Sequence, residues 1–308
     1  MSMKFQLRSI ICATDFSEYS NLAVTYGIAL AREFKAKLYV CHVIDLPSAT
    51  MYGEGFSYTT LDQQNQINNY SLDYLEQLIG EQPFDWEPLI KTGIAANEIA
   101  RVVEEKGVDL AILATHGRSG LKRFILGSVT ERLMRTLPCP LLIVRSPEHD
   151  FISPVKEGIG PQKILAGCDF SPDSSLAFQY ALNFAQEFES ELHLAHVIQP
   201  HMYKDLLKLG IEPGKKIKQD LRDQLNEKLM NMVPEEAQNW CTPITTLLEG
   251  QPYEELTNYA LVHNIDLIVL GVRGQNIVEA LFVGSTTDRV IRQAPCPILS
   301  VRPKAQGV

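Results

Sequence analysis

The segment TDFSEYSNLAVTYGIALAREFKAKLYVCHVI at 14–44 returns as CDFSPDSSLAFQYALNFAQEFESELHLAHVI at 168–198. Asp15 pairs with Asp169 and His42 with His196, both 154 residues apart. Further along, Asp109 pairs with Asp266, Gly117 with Gly274, Gly127 with Gly284, and Pro-Cys-Pro 138–140 with 295–297, all 157 apart. Only three net residues were inserted between the two sets of anchors. Duplication of one folding unit accounts for this, and it fixes the architecture before any local reading begins. SPEHDFISPVKEGIGPQ, rich in Pro, Gly and charge, marks the boundary between the copies. Domains are expected at 1–146 and 162–308, with a linker at 147–161.

Each copy alternates strand and helix signals. In the first, SIICAT, KLYVCHVI, WEPLIKTG, VDLAILAT and CPLLIVR read as strands. Residues 19–34, 60–80, ANEIARVVEEKG with its closing Gly, and a stretch from Ser128 read as helices. Near-continuous apolar strands between helices imply a parallel sheet covered on both faces. The expected fold is α/β: two tandem doubly wound domains, each a mostly parallel five-stranded sheet flanked by helices, Rossmann-like. Ligands of such sheets sit beyond the carboxyl ends of the strands, where the strand order reverses.

Charge and composition exclude several classes. A net charge of −9 argues against non-specific nucleic-acid binding, which needs clustered Lys and Arg. No apolar run is long enough to span a bilayer. The opening MSMKFQLRSIICATDFS lacks a signal peptide's apolar core and cleavage site, so a cytoplasmic chain with no membrane partner is expected. The six cysteines include no C-x-x-C, and Cys12, Cys41 and Cys168 fall in or beside apolar strands. All six are expected as reduced thiols.

Two short glycine stretches fail as nucleotide motifs. GIEPGKK (210–216) is one residue short of a P-loop and has Lys216 in place of Ser or Thr; GIGPQK (158–163) lacks its third Gly and precedes a strand. GVRGQNIVEALFVGS (271–285) is better placed, between the strand IDLIVL and the helical STTDRVIRQ, and ATHGRSGLKRFILGS (114–128) is its earlier copy. Unsatisfied N–H groups at a helix start attract anions, and glycine lets the backbone approach a phosphate. The alternative is plain punctuation: Ser128-x-x-Glu131 and Ser285-x-x-Asp288 look like capping arrangements that only start a helix.

On these residues each half resembles the universal stress protein family, in its nucleotide-binding class, and the whole chain resembles its tandem members. Gly271, Gly274, Gly284 and Ser285 satisfy that family's signature, G-x2-G-x9-G-[ST]. The Asp-Phe-Ser after the first strand and the final Pro-Cys-Pro strand extend the likeness nearly end to end. The resemblance implies an adenine nucleotide, with ATP first, AMP or ADP as variants, and Mg accompanying ATP. It places Asp15 and Asp169 against the adenosine, with Ala13, Gly167, Val43 and Val197 lining the base. The expected set is completed by Thr14, Ala114, His116, Gly117, Arg118, Gly127, Ser128, Val129 and Thr130 in the first half. In the second half it is completed by Cys168, Arg273, Thr286 and Thr287. For the two Asp residues the alternative role is N-cap of the following helix, and His42 and His196 read as core or strand-end histidines. The resemblance also implies that the last strands, PCPLLIVR and PCPILSVR, pair inside one chain as a pseudo-dimer, with a homodimer as a further state.

The halves differ. The first has Ala114 where the signature has its first Gly, but carries His116, Arg118, Lys122 and Arg123. The second has every glycine, but only Arg273 stands against Glu279. Segments 45–60 and 199–216 are long and dissimilar, either lids or unrelated surface loops. No nucleophile with an activating base and no metal-ligand spacing is visible. Three functions therefore compete: an ATP-binding stress-response regulator with at most slow hydrolysis, an ATP-using activating enzyme, and a stress protein acting through partners or another small molecule. The missing Ser-Gly-Gly phosphate loop weighs against the enzyme.

Overall fold

A computed structural model describes residues 6–44, 61–115, 126–145, 151–152, 160–200, 215–241, 243–274 and 283–303. The chain divides into two compact units, Met1–Arg145 and Ser146–Val308. The long segments singled out after the second strand of each half fall almost entirely outside the described residues.

The first unit runs β1 (Ser9–Ala13), α1 (Glu18–Phe34), β2 (Lys37–Ile44), α2 (Leu61–Ile79), β3 (Trp86–Thr92), α3 (Ala95–Lys106), β4 (Leu110–Ala114), α4 (Ser128–Thr136) and β5 (Leu141–Val144). Its strands lie in the order β3-β2-β1-β4-β5, every pairing parallel. The second unit runs β6 (Lys163–Gly167), α5 (Pro172–Phe188), β7 (Glu191–Ile198), α6 (Lys215–Met230), β8 (Pro243–Glu249), α7 (Pro252–His263), β9 (Leu267–Gly271), α8 (Ser285–Gln293) and β10 (Ile298–Val301). It repeats the plan as β8-β7-β6-β9-β10, again parallel throughout. This is the expected doubly wound α/β fold, twice.

The order reverses between β1 and β4, and between β6 and β9. Those central strands are apolar because helices cover both faces; β4 and β9 are buried along their whole length. The repeat pair Asp109 and Asp266 is explained at the opposite end of the sheets. Asp109 Oδ2 accepts from the amides of Arg8 and Ser9 (2.9 and 3.1 Å). Asp266 Oδ2 accepts from those of Gln162 and Lys163 (3.0 and 2.9 Å). Each carboxylate stitches the start of one central strand to its neighbour and so fixes their register. Phe151, in the segment read as linker, is fully buried, and its carbonyl accepts from Gly160 N–H.

Candidate functional site

Two corners meet at the reversal point of each unit. The first is the turn from the first strand into the first helix. Asp15 and Asp169 do not cap those helices; Ser17 and Ser171 do, accepting from the amides of Ser20 and Ser174. The aspartates brace the caps instead. Asp15 Oδ1 accepts from Ser17 N–H (3.1 Å) and Oγ–H (2.6 Å), and Asp169 Oδ1 accepts from Ser171 N–H (3.0 Å). The N-cap role expected as their alternative is thus taken by the serine two residues on, whose shorter side chain reaches the N3 amide.

Between Asp and Ser stands a phenylalanine in left-handed backbone, Phe16 at φ 68° and Phe170 at φ 63°. That conformation turns each ring onto the second-strand histidine. Phe16 stacks on His42 at 3.9 Å and 16°; Phe170 leans on His196 at 4.6 Å and 40°. Both histidines are buried, as expected for core residues. Their Nδ1 atoms lie 2.9 and 2.8 Å from the carbonyls of Thr14 and Cys168. A carbonyl only accepts, so Nδ1 carries the proton in each. Burial, above all, holds His196 below the ordinary imidazole value, opposed by that bond and by Asp169.

The second corner is the return from the glycine loop into α4 or α8. The N-caps are Gly127 and Gly284, with no side-chain cap. Ser128 and Ser285 are the first helical residues, so the expected Ser-x-x-acid caps are not formed. The cause is a pinch in the loop. Gly127 N–H donates to Thr115 O (2.7 Å) and Gly284 N–H to Val272 O (2.8 Å). Thr130 and Thr287 donate their hydroxyls to the carbonyls of Ala114 and Gly271, both at 2.8 Å. Each helix start is thereby tied to its strand end, its first amides left without a side-chain cap.

Between the two corners lies a cavity, about 340 Å³ in the first unit and about 580 Å³ in the second. The smaller is lined by Ala13, Thr14, Asp15, Val43, Ala114, Gly127, Ser128, Val129 and Thr130. The sequence-expected residues His116, Gly117 and Arg118 lie outside the described residues. The larger brings together the whole second-half set: Gly167, Cys168, Asp169, Val197, Gly271, Arg273, Gly274, Gly284, Ser285, Thr286 and Thr287. Leu225, Leu256 and Leu270 give it an apolar wall.

The geometry changes what two glycines and one cation do. A Cβ on Gly271 would stand 2.7 Å from the Asp173 carbonyl carbon and 2.9 Å from its Cβ, so this glycine admits the backbone of α5. A Cβ on Gly274 would stand 2.8 Å from Asp169 Oδ2, so this one lets the two corners touch. Glu279 lies outside the described residues, and the sequence counts Arg273 only in the loop's charge balance, whereas in the structure it has a specific partner. Its Nε and a terminal nitrogen reach the two oxygens of Asp173 at 3.0 and 3.2 Å.

Sequence reasoning missed Phe16, Phe170 and Lys228. The phenylalanines were visible as a repeated residue after each Asp. Lys228 carried no signal, because α6 has no motif. Its Nζ lies 4.1 Å from the centre of the Phe170 ring, a cation–π contact. The residue 154 positions earlier, Tyr74, packs on Phe16 at 4.4 Å, so the two helices serve the same corner with different chemistry.

Among the described residues no helix is long and apolar enough to cross a membrane. The residue profile of the Universal stress protein family matches residues 6–145 and again 161–302. The chain therefore belongs to the universal stress protein family, as a tandem member. Universal stress protein MJ0531 of Methanocaldococcus jannaschii is 31% identical over 144 residues, covering 46% of this chain and 85% of that one. Universal stress protein Rv2005c of Mycobacterium tuberculosis is 24% identical over 314 residues, 98% of this chain and 99% of that one. A solved universal stress protein from Archaeoglobus fulgidus shares the fold, with a TM-score of 0.69, 21% identity and 98% of each chain covered.

Proposed function

We propose that this universal stress protein is a cytoplasmic adenine-nucleotide-binding regulator with one site in each unit. One observation carries the reading: at both reversal points a helix start without a side-chain cap opens into the cavity that also holds the first-strand aspartate. Uncapped amides and the helix dipole favour an anion there, by about 0.3–1 kcal/mol at an exposed site. The apolar wall and the Asp corner suit a nucleoside. Asp15 and Asp169 would meet the adenosine, and Val43 and Val197 the base. Gly127 with Ser128, and Gly284 with Ser285 and Thr286, would receive phosphate. ATP is the first ligand to test, with Mg accompanying it, and AMP and ADP beside it. Among the described residues the cavities pair no nucleophile with a base, and in this reading hydrolysis is at most slow.

The test is direct. Freshly purified protein is denatured, released nucleotide is identified by mass spectrometry, and refilling is followed by calorimetry with ATP, ADP and AMP. Bound adenine nucleotide is expected, and it should fall in Gly127→Val and Gly284→Val. Absence of retained nucleotide together with no heat of binding from any of the three would overturn the reading. A partner-binding role would then stand in its place.

A further inference from the structure

We propose that the second-unit site binds an adenine nucleoside or monophosphate as tightly as ATP, because Asp173 has already claimed the cation of its glycine loop. The proposal rests on the adenine-nucleotide reading above and names the ligand class for one of the two sites.

The loop from 271 to 285 contains one cation, Arg273, and one carboxylate, Glu279. Arg273 grips Asp173 by its backbone N–H (3.2 Å) as well as by two side-chain nitrogens. The two side chains are 23% and 8% exposed, so water screens the pair little. Asp173 is also held from its own side. It is the second residue of α5, where the positive end of the helix dipole favours a carboxylate. A bidentate, half-dry pair of this kind is not given up for a phosphate without leaving a buried carboxylate uncompensated.

Among the described residues, the rest of the cavity adds no surplus of positive charge. Arg273 and Lys228 are the cations among its described lining residues. Lys228 sits over Phe170, at the Asp169 corner and not at the start of α8. Asp169 brings Oδ2 to the first part of the glycine loop, against Gly274. Arg302 lies in the field of Arg273 and Asp173, and burial depresses its pKa further than that repulsion does; it does not line the cavity. Among the described residues, what remains for phosphate is the α8 amides and the hydroxyls of Ser285 and Thr286. These donors hydrogen-bond a phosphate well but carry no full positive charge to offset the negative charges of a second and third. They suit a single phosphate better than a chain of three.

The full-length chain is photolabelled with 8-azidoadenosine, and peptides from β6–α5 are quantified by mass spectrometry. Adenosine, AMP and ATP, with and without Mg, compete. For second-unit peptides AMP and ATP should protect within about threefold of each other. ATP protection should vary little between low and high salt. The Asp173→Asn/Arg273→Gln double variant, which removes both charges together, should keep that ratio. ATP protecting more than about threefold better than AMP would overturn the proposal alone. Labelling that no adenine compound competes would overturn the adenine reading of this site and the proposal with it.

Discussion

Replacing Gly271 with Ala tests whether this glycine serves the phosphate or the fold. The added Cβ would sit 2.7 Å from the Asp173 carbonyl carbon and 2.9 Å from its oxygen. Carbon contacts settle near 3.5–4.0 Å, so α5 must retreat by roughly 1 Å. The obstacle is backbone, which cannot swing aside as a side chain does. Overpacking of this kind costs about 2–3 kcal/mol, near the top of the usual range. Restricting the unfolded chain returns about 0.5–1 kcal/mol. The net loss is about 1–2.5 kcal/mol, which lowers the midpoint by about 3–8 °C for a unit of this size. Trp86 and Trp240 fall in different units, so in a Trp86→Phe background Trp240 fluorescence reports the second unit alone. A melting point unchanged within 1 °C, approximately the error of such scans, with nucleotide binding abolished, would refute the packing argument and return Gly271 to the ligand.

Three further outcomes are expected. Stability should fall with acid in a defined window: burial first of all depresses the pKa values of His193 and His196. The unfolded chain therefore takes up more protons below about pH 6.5, and stability drops from there down to the folded values and then levels. His196→Asn keeps a donor for the Cys168 carbonyl and should shallow that slope in urea titrations at pH 7.5 and 5.5; an unchanged slope would count against it. Of the six free cysteines five are buried and Cys241 is half-buried, so a thiol reagent should modify only Cys241 in the native protein. Even that reaction should be slow, because burial pushes the Cys241 thiol up to about 11; two or more fast thiols would refute this. Phe170→Ala should lower stability by about 3 kcal/mol or less, expose His196 and free Lys228. A shift of the His196 imidazole resonances toward ordinary titration checks it.

The fold was readable because its signals are redundant. The inner strands β4 and β9 are apolar throughout, the two copies confirm one another, and Gly107 closes α3 in left-handed backbone where the sequence places a stop. Its counterpart is Asn264, again left-handed, and the likeness there is chemical, not literal. The site was readable as a set of positions but not as a set of roles. The sequence shows Ser128 and Ser285 three residues before an acid. It cannot show that the loop pinch moves the cap back onto glycine. It shows Arg273 in the glycine loop, but not that its side chain reaches Asp173, 100 residues away. Lys228 reaches the site only because α6 crosses the Phe170 corner, a tertiary fact that no local pattern carries.

The left-handed phenylalanines have a kinetic consequence. Holding a bulky residue at φ 68° or 63° costs on the order of 1–3 kcal/mol, and the folded chain meets that cost once, through the ring's contact with the histidine. The turn that presents Asp15 or Asp169 is therefore set before any visitor arrives. A ligand entering either corner has no local ordering to perform, so its arrival should be limited by diffusion and by the state of the opposite, glycine-loop side. Whatever would distinguish the two corners toward a ligand must then come from the residues across the cavity, because both floors are set alike.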